Sequence, residues 1–221
     1  ILVFKSDRLG DLINISSVIH NLKKNFPSSE ITIVCSKYNS RIAKYYSDLQ
    51  NIIIFDKSFF KFSLKYFKKL YLTKYDLLLQ LDGKKSSYFC SSIVNSNIKA
   101  GLVFVKNKKI LNNLSIVKRP NFLISKFFSY LEPCIEDYQI SNNKDYHYLN
   151  LYLNILKKIN LTIYSKSHYL PYNETNNQKF RNYLHIHIDD RWKKFDNIFY
   201  VNFVDKINNL SSTSKIIITS N

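Results

Sequence analysis

The fold of this chain is decided by residues 1–26, which read ILVFKSDRLGDLINISSVIHNLKKNF. The apolar run at residues 1–4 predicts a strand, residues 5–11 form a polar loop, and apolar side chains then recur at helical spacing from Leu12 to Phe26. A strand, a tight glycine-containing loop and a helix make the opening unit of a nucleotide-type α/β domain. We therefore expect an α/β fold that is built on a parallel sheet.

Asp11 falls at the first turn of the predicted helix, where two interpretations are open. A carboxylate at this place is favoured by the helix dipole and can act as the N-cap. The same place faces the crevice at the carboxyl end of the strand, where a carboxylate could take a proton from a substrate. Gly10 precedes it and is one of only three glycines in the chain. We expect each glycine to lie where a side chain would clash, so Gly10 could admit a substrate or another backbone.

The rest of the chain alternates predicted strands and helices, which is typical of a doubly wound parallel sheet with right-handed crossovers. Strands are predicted at 31–35, 52–55, 75–81, 98–102, 183–188 and 215–219. Helices are predicted at 12–26, 41–46, 59–72, from the loop at 82–86 to about 94, and at 121–131, 145–159 and 197–210. The lysine-rich face of the helix at 59–72 could touch a membrane or could be the solvated face of a helix that covers the core.

Domain organisation follows from a polar stretch late in the chain. We assign residues 1–164 to a Rossmann-like domain, 165–180 to a linker and 181–221 to the start of a second Rossmann-like domain. The chain has no Met, begins in a strand and ends just after one, so we expect a fragment of a longer protein. Its three cysteines are widely spaced, which favours free thiols over disulfides.

The formal net charge of +17 favours anionic partners such as nucleic acid, phosphates or an anionic membrane. Coding bias in an A+T-rich genome is the alternative, because Lys, Asn, Ile and Tyr are abundant while Gly, Ala and Pro are scarce. No recognition helix or aromatic RNA-binding pattern accompanies the charge, so no specific nucleic acid is expected. A non-catalytic basic protein that binds nucleic acid or membrane remains the alternative function.

Two further polar loops follow predicted strands. The first is Asp82-Gly83-Lys84-Lys85-Ser86, and the second follows the strand at 183–188, which carries His185 and His187, and contains Arg191 and Lys193. In the second loop, cationic side chains and free N–H groups before a helix could hold a diphosphate, whereas alternating His185, His187 and Asp189 could hold a metal ion. The dinucleotide, Walker, nucleophile-elbow and HExxH patterns are absent. We therefore expect no cofactor and no metal.

Three motifs, in order along the chain, resemble the ADP-heptose:lipopolysaccharide heptosyltransferases, glycosyltransferase family 9. The first is the loop that ends in Leu9-Gly10-Asp11, followed by a helix that ends in Lys23-Lys24-Asn25-Phe26-Pro27. The second is Tyr75-Asp76 with the later Gly83-Lys84-Lys85-Ser86, and the third is His187 followed by Trp192. Two departures are Ser17, where the family usually has Pro, and Ile188-Asp189, where it has Pro-Gly.

The resemblance implies a GT-B architecture and an inverting transfer of heptose from ADP-heptose to a lipopolysaccharide core acceptor, in the cytoplasm at the inner face of the inner membrane. Asp11 would be the general base. Lys5, Arg8, Gly10, Lys84, Lys85 and Ser86 would contact the acceptor. His187, Arg191 and Lys193 would contact the diphosphate of the donor. A same-fold transferase with another sugar donor is the close alternative.

Overall fold

A computed structural model describes residues 1–55, 59–105, 117–119, 122–135, 148–169, 183–188, 197–210 and 215–220. The chain divides into two compact units, Ile1–Pro171 and Tyr172–Asn221. No helix among the described residues is both long and apolar enough to cross a membrane.

The first unit is built on a sheet whose central strands are buried on both faces. Six strands lie parallel in the order β3-β2-β1-β4-β5-β7, and β6 pairs antiparallel with the end of β5. The predicted α/β fold with a parallel sheet is confirmed. The strands are β1 (Leu2–Phe4), β2 (Thr32–Ser36), β3 (Asn51–Phe55), β4 (Tyr75–Gln80), β5 (Ser96–Val105), β6 (Val117–Arg119) and β7 (Tyr130–Ile135).

Helices flank this sheet and supply the rest of the core. The helices are α1 (Leu9–Asn14), α2 (Ser16–Asn25), α3 (Lys37–Ala43), α4 (Phe59–Lys65), α5 (Lys85–Ile93), α6 (Phe122–Ser125) and α7 (Tyr148–Lys158). A π-helical turn, Lys68–Leu72, follows α4. The three cysteines are buried and free, as predicted, and burial raises the pKa of Cys35 and Cys90 to about 12.

Three helix predictions need correction. The single helix predicted at 12–26 is wrong, because a break at Ile15 separates α1 from α2. The short helix predicted at 41–46 begins earlier, at Lys37, because the Ser36 side chain caps it by accepting a hydrogen bond from the Asn39 N–H. The helix predicted at 121–131 ends at Ser125, and the chain enters β7 soon afterwards.

After α7 the chain returns across α2 in a segment without regular secondary structure. Asn21 is buried, and its amide pairs with the backbone of this segment: Nδ2 donates to the Ser165 carbonyl, and Oδ1 accepts from the N–H of Tyr164. One turn later, Asn25 makes the same kind of pair with both backbone groups of Thr162. The two asparagine side chains therefore hold the segment by donating to and accepting from its backbone, as the backbone of a neighbouring strand would.

The second unit contains the predicted strand, helix and strand. They are β8 (Tyr183–Ile188), α8 (Asn197–Leu210) and β9 (Lys215–Ser220), and β8 and β9 pair in parallel. The domain limits predicted from sequence stay predictions.

Candidate functional site

The candidate site lies at the carboxyl edge of the first sheet, where two loops emerge side by side. Strands β1 and β4 are neighbours, with Phe4 opposite Gln80, so the loops that follow them start next to each other. A cavity of about 360 Å³ opens there, and we call it the edge cavity. Its walls are Lys5, Asp7, Arg8, Asp11, Leu81, Gly83, Lys84, Phe104, Tyr148 and Tyr152.

Asp11 lies in the first turn of α1 and lines the edge cavity with a half-buried side chain. It is not the N-cap, because that place belongs to Arg8, whose extended backbone leads into the helix at Leu9. The N-cap interpretation of Asp11 is therefore wrong. The general-base interpretation stays a prediction, and the position is compatible with it because the carboxylate borders a cavity that a substrate could enter.

Lys5 is buried at the wall of the edge cavity, and its ammonium has three hydrogen-bond acceptors. Nζ lies 2.9 Å from Asp7 Oδ2, 2.9 Å from the Leu81 carbonyl oxygen and 2.7 Å from the Tyr152 hydroxyl. An ammonium has three N–H donors, so the protein uses all of them. Contact between Lys5 and a substrate stays a prediction, while its contacts give it a second role, which is to fix Asp7 and Tyr152.

Asp7 is a second carboxylate in the edge cavity, and the sequence analysis did not single it out. Its Oδ1 is buried and accepts no hydrogen bond from any residue that the structure describes. Burial raises the pKa of Asp7 to about 6; Lys5 acts against this shift, while the nearby carboxylates of Asp82 and Asp11 add to it. Asp7 therefore changes its charge near neutral pH beside Asp11.

The buried side chain of Asp82, in the second loop, is hydrogen-bonded to both loops. Its side chain is fully buried and accepts five hydrogen bonds. Oδ2 accepts from the Ser6 N–H at 2.9 Å, the Ser6 hydroxyl at 2.8 Å and the Ser87 hydroxyl at 3.0 Å. Oδ1 accepts from the Gln80 amide and the Lys84 N–H, both at 3.0 Å. Asp82 thus fixes the first loop to the second, and its place directly after an apolar strand was the only sequence signal for this role.

The second loop contributes unequally to the edge cavity. Lys84 has an exposed side chain that lines it and donates from Nζ to the Ser6 carbonyl oxygen. Lys84 also lines a larger neighbouring cavity of about 1080 Å³, as does Ser86. We call this the basic cavity, because Lys37, Lys61 and Lys65 lie in its walls with several aromatic side chains. Lys85 is exposed and lines neither cavity.

The glycine expectation fails at Gly10 and holds at Gly101. A Cβ built on Gly10 would meet no atom within 4 Å, so the residue is not required there by packing. A Cβ on Gly101 would lie 2.7 Å from the Gln80 carbonyl oxygen, since β4 and β5 approach closely at that point. Gly10 leaves open space beside Asp11, and its contact with a substrate stays a prediction.

The donor-side prediction falls mostly outside the described residues. His187 lies in β8 opposite Thr219, and nothing is described of its side chain. Arg191 and Lys193 lie outside the described residues. Within the described part of the chain, no group of three or more His, Cys, Asp and Glu residues could hold a metal ion.

Comparison with known proteins places the fold among glycosyltransferases. No family model and no curated protein matches the chain. Among solved structures, a glycosyl transferase family 9 protein from Veillonella parvula matches 98% of the chain with a TM-score of 0.68 at 16% identity. E. coli heptosyltransferase WaaC with ADP-2-deoxy-2-fluoro heptose matches 98% with a TM-score of 0.59 at 14% identity. E. coli ADP-heptose lps heptosyltransferase II matches 98% with a TM-score of 0.57 at 10% identity.

These likenesses show the class of fold, which is the α/β fold of GT-B glycosyltransferases. The particular neighbours are family 9 glycosyltransferases, including heptosyltransferases, at low sequence identity. The chain spans 61% of the length of the Veillonella protein, and 67% and 63% of the two E. coli proteins.

Proposed function

We propose that this chain is the acceptor-side part of an inverting glycosyltransferase that moves a heptose from ADP-heptose to a lipopolysaccharide core acceptor. The observation that carries the proposal is the half-buried carboxylate of Asp11 in the edge cavity, at the carboxyl edge of the first sheet. The fold supports it, because a family 9 glycosyl transferase matches 98% of the chain. Ligands of open α/β sheets bind at this edge.

In the proposed reaction, Asp11 takes the proton of an acceptor hydroxyl as that oxygen attacks the anomeric carbon of the donor sugar. The new carbon–oxygen bond forms on the face opposite the diphosphate, the bond from the anomeric carbon to the phosphate oxygen breaks, and ADP leaves. The transition state resembles an oxocarbenium ion, as in glycoside hydrolysis. Arg191, Lys193 and His187 are the residues proposed to contact the departing diphosphate, whose charge the two cations would neutralise.

The cations of the first unit support an anionic acceptor. Arg8 and Lys84 are exposed in the edge cavity, and Lys37, Lys61 and Lys65 line the basic cavity next to it. Because Lys84 borders both cavities, an acceptor whose sugar enters the first could place phosphate groups in the second. Lys85 and Ser86 are proposed to contact the acceptor as well, Ser86 from the wall of the basic cavity.

The general base is tested with Asp11→Asn in the complete protein. We expect turnover to fall by about 10²–10⁴-fold, because a positioned base contributes about that much. Affinity for ADP-heptose, measured by calorimetry, should stay nearly unchanged. The matched control is Asp76→Asn, since Asp76 is an exposed carboxylate near the start of β4, at the opposite edge of the sheet. Unchanged turnover in Asp11→Asn would remove Asp11 from the mechanism.

Donor identity is tested separately by offering ADP-heptose and a panel of other nucleotide sugars to the wild-type protein. We expect product only from ADP-heptose. Product from another donor would replace heptose in the proposal and keep the transferase class.

The segment from α4 through the π-helical turn supports a peripheral place at the inner membrane. Phe62 and Leu70 face the core, while three large apolar side chains, among those that the structure describes in this segment, are exposed between lysines. Those side chains are Leu64, Phe67 and Leu72, and the lysines are Lys61, Lys65, Lys68 and Lys69. Apolar groups flanked by Lys suit the surface of an anionic bilayer.

Membrane contact is tested by sedimentation with vesicles of phosphatidylglycerol and phosphatidylethanolamine. The variant Leu64→Ser with Phe67→Ser should lose most of the bound fraction, since it removes two of the three exposed apolar side chains named above. The matched control is Leu123→Ser with Phe127→Ser, which removes an equally exposed pair near α6. Equal loss in both variants would reject this surface.

A further inference from the structure

Tyr148 is the aromatic side chain with the most open position in the edge cavity. It is the first residue of α7 and is 39% exposed. It lines the edge cavity, as Asp11 does from α1. Its ring is tilted by 35° against the ring of Tyr152, with 6.2 Å between the ring centroids. Tyr148 is thus an exposed aromatic side chain that packs on Tyr152 and lines the same cavity as the proposed base.

Tyr152 fixes this surface relative to the first loop. It is 1% exposed, it accepts a hydrogen bond from Lys5, and the Lys5 ammonium lies 4.9 Å from the centroid of its ring. Residues four apart on a helix lie on the same side, so Tyr148 shares the orientation of Tyr152 one turn earlier. The start of α7 is therefore held to the residues that immediately follow β1.

The chemistry of these walls matches a sugar ring. A pyranose has an apolar face of C–H groups and a rim of hydroxyls, and an aromatic ring supplies a flat, rigid apolar surface for such a face. Asp11, in the first turn of α1, lines the same cavity and can accept hydrogen bonds from hydroxyl donors. The cavity of about 360 Å³ lies at the small end of the about 300–1,000 Å³ that ligand pockets usually have, which suits a single ring.

We infer that Tyr148 is the stacking platform for one pyranose ring of the acceptor, and that it holds the attacking hydroxyl towards Asp11. This rests on the proposed function for the identity of the ring as an acceptor. Adenine would also stack on a tyrosine. A pyranose is favoured because it has several hydroxyls that can donate to Asp11, whereas adenine has only one amino group to donate.

The test is saturation-transfer NMR on the complete protein with methyl α-pyranosides of mannose, glucose and galactose. For the best binder, we expect saturation of the C–H protons on one ring face. Tyr148→Ala should weaken its binding by about tenfold or more, a typical size for the loss of a stacked aromatic. Tyr148→Phe should bind within about twofold of wild type, because stacking needs the ring and not the hydroxyl. The control is Tyr164→Ala, an exposed tyrosine outside the cavity, which should bind as wild type does.

Three results would overturn the inference: no saturation transfer from any of the pyranosides to wild type, equal binding by Tyr148→Ala and wild type, or competition in which ADP displaces the pyranoside from the Tyr148 surface. Sugar binding that depends on Tyr148 without any transfer activity would instead reject the proposed function. Transfer that depends on Asp11 and is unchanged in Tyr148→Ala, both in turnover and in KM for the acceptor, would reject only the platform.

Discussion

Asp11, in the first turn of α1, and Asp82, in the loop after β4, are carboxylates at the same edge of the sheet, yet their surroundings differ completely. Asp82 is fully buried and accepts five hydrogen bonds that join the loops. Asp11 is half-buried and faces the edge cavity. A carboxylate whose acceptor sites are all filled by the protein stabilises the fold, whereas one at a cavity wall is available to a substrate.

The largest expected effect is on stability, and it separates these two residues. Asp82→Ala leaves several buried donors without an acceptor and should lower the free energy of unfolding by about 3–5 kcal/mol. Asp11→Ala should lower it by less than about 1 kcal/mol, the size of a favourable dipole interaction in a first turn. Urea unfolding followed by circular dichroism measures both values. Similar losses in the two variants would contradict the distinction between a carboxylate that stabilises the fold and one that is available to a substrate.

Asp7 is intermediate between Asp82 and Asp11, because it lines the edge cavity but has one buried carboxylate oxygen. Its effect on the free energy of unfolding should depend on pH. Its pKa in the folded protein is about 6, above the ordinary 3.8, so ionisation disfavours the folded state. This unfavourable contribution is absent below about pH 4, grows as pH rises to about 6 and is complete above that value. Asp7→Asn lacks it. Relative to wild type, the variant should therefore gain up to about 3 kcal/mol between pH 4 and pH 7, at about 1.4 kcal/mol per pKa unit.

The measurement for Asp7 is the difference in urea unfolding free energy between Asp7→Asn and wild type, taken at several pH values across that range. A fixed offset from loss of the Lys5 contact is expected at every pH and does not affect the slope. A difference that stays constant with pH would show that burial does not control this carboxyl.

The smallest effects extend the comparison to two glycines. Gly101→Ala should destabilise the protein by about 1–3 kcal/mol, because the new Cβ meets the backbone of Gln80 and the strands must shift. Gly10→Ala should be neutral or stabilise by up to about 1 kcal/mol, since Ala is the better helix former and the space is open. Thermal unfolding measures both. A destabilised Gly10→Ala protein would mean that the first loop needs glycine after all.

The alternation of strands and helices could be predicted because it depends on local patterns. The period of apolar residues in β1, β2 and β4 is a property of a few neighbouring residues. The break at Ile15 and the strand β7 are different, because they depend on tertiary packing. Pro133 is tolerated in β7 because, among the described strands, β7 pairs only with β5, and an edge strand can lack one N–H donor.

The site was only partly predictable for the same reason. Asp11, Arg8 and Lys84 are found together in the edge cavity, as expected of loops that follow neighbouring strands. Tyr152 contacts Lys5 across 147 positions of sequence, and no local pattern indicates such a pair. Asp7 was overlooked because its raised pKa comes from burial, which the sequence of a polar loop does not reveal.

The asparagine pairs on α2 have a consequence for the length of the segment that returns from α7. Asn21 and Asn25 are separated by about 6 Å along the helix axis at about 1.5 Å per residue. Thr162 and Tyr164 are two residues apart, and two residues of extended chain span nearly the same distance, at about 3.3 Å per residue. The spacing of the two asparagines on α2 therefore fixes the number of residues between their partners in this segment. If a single residue were inserted or deleted between those contacts, Asn21 and Asn25 could no longer both pair with the backbone of the segment. Natural variants of this segment should therefore change length elsewhere.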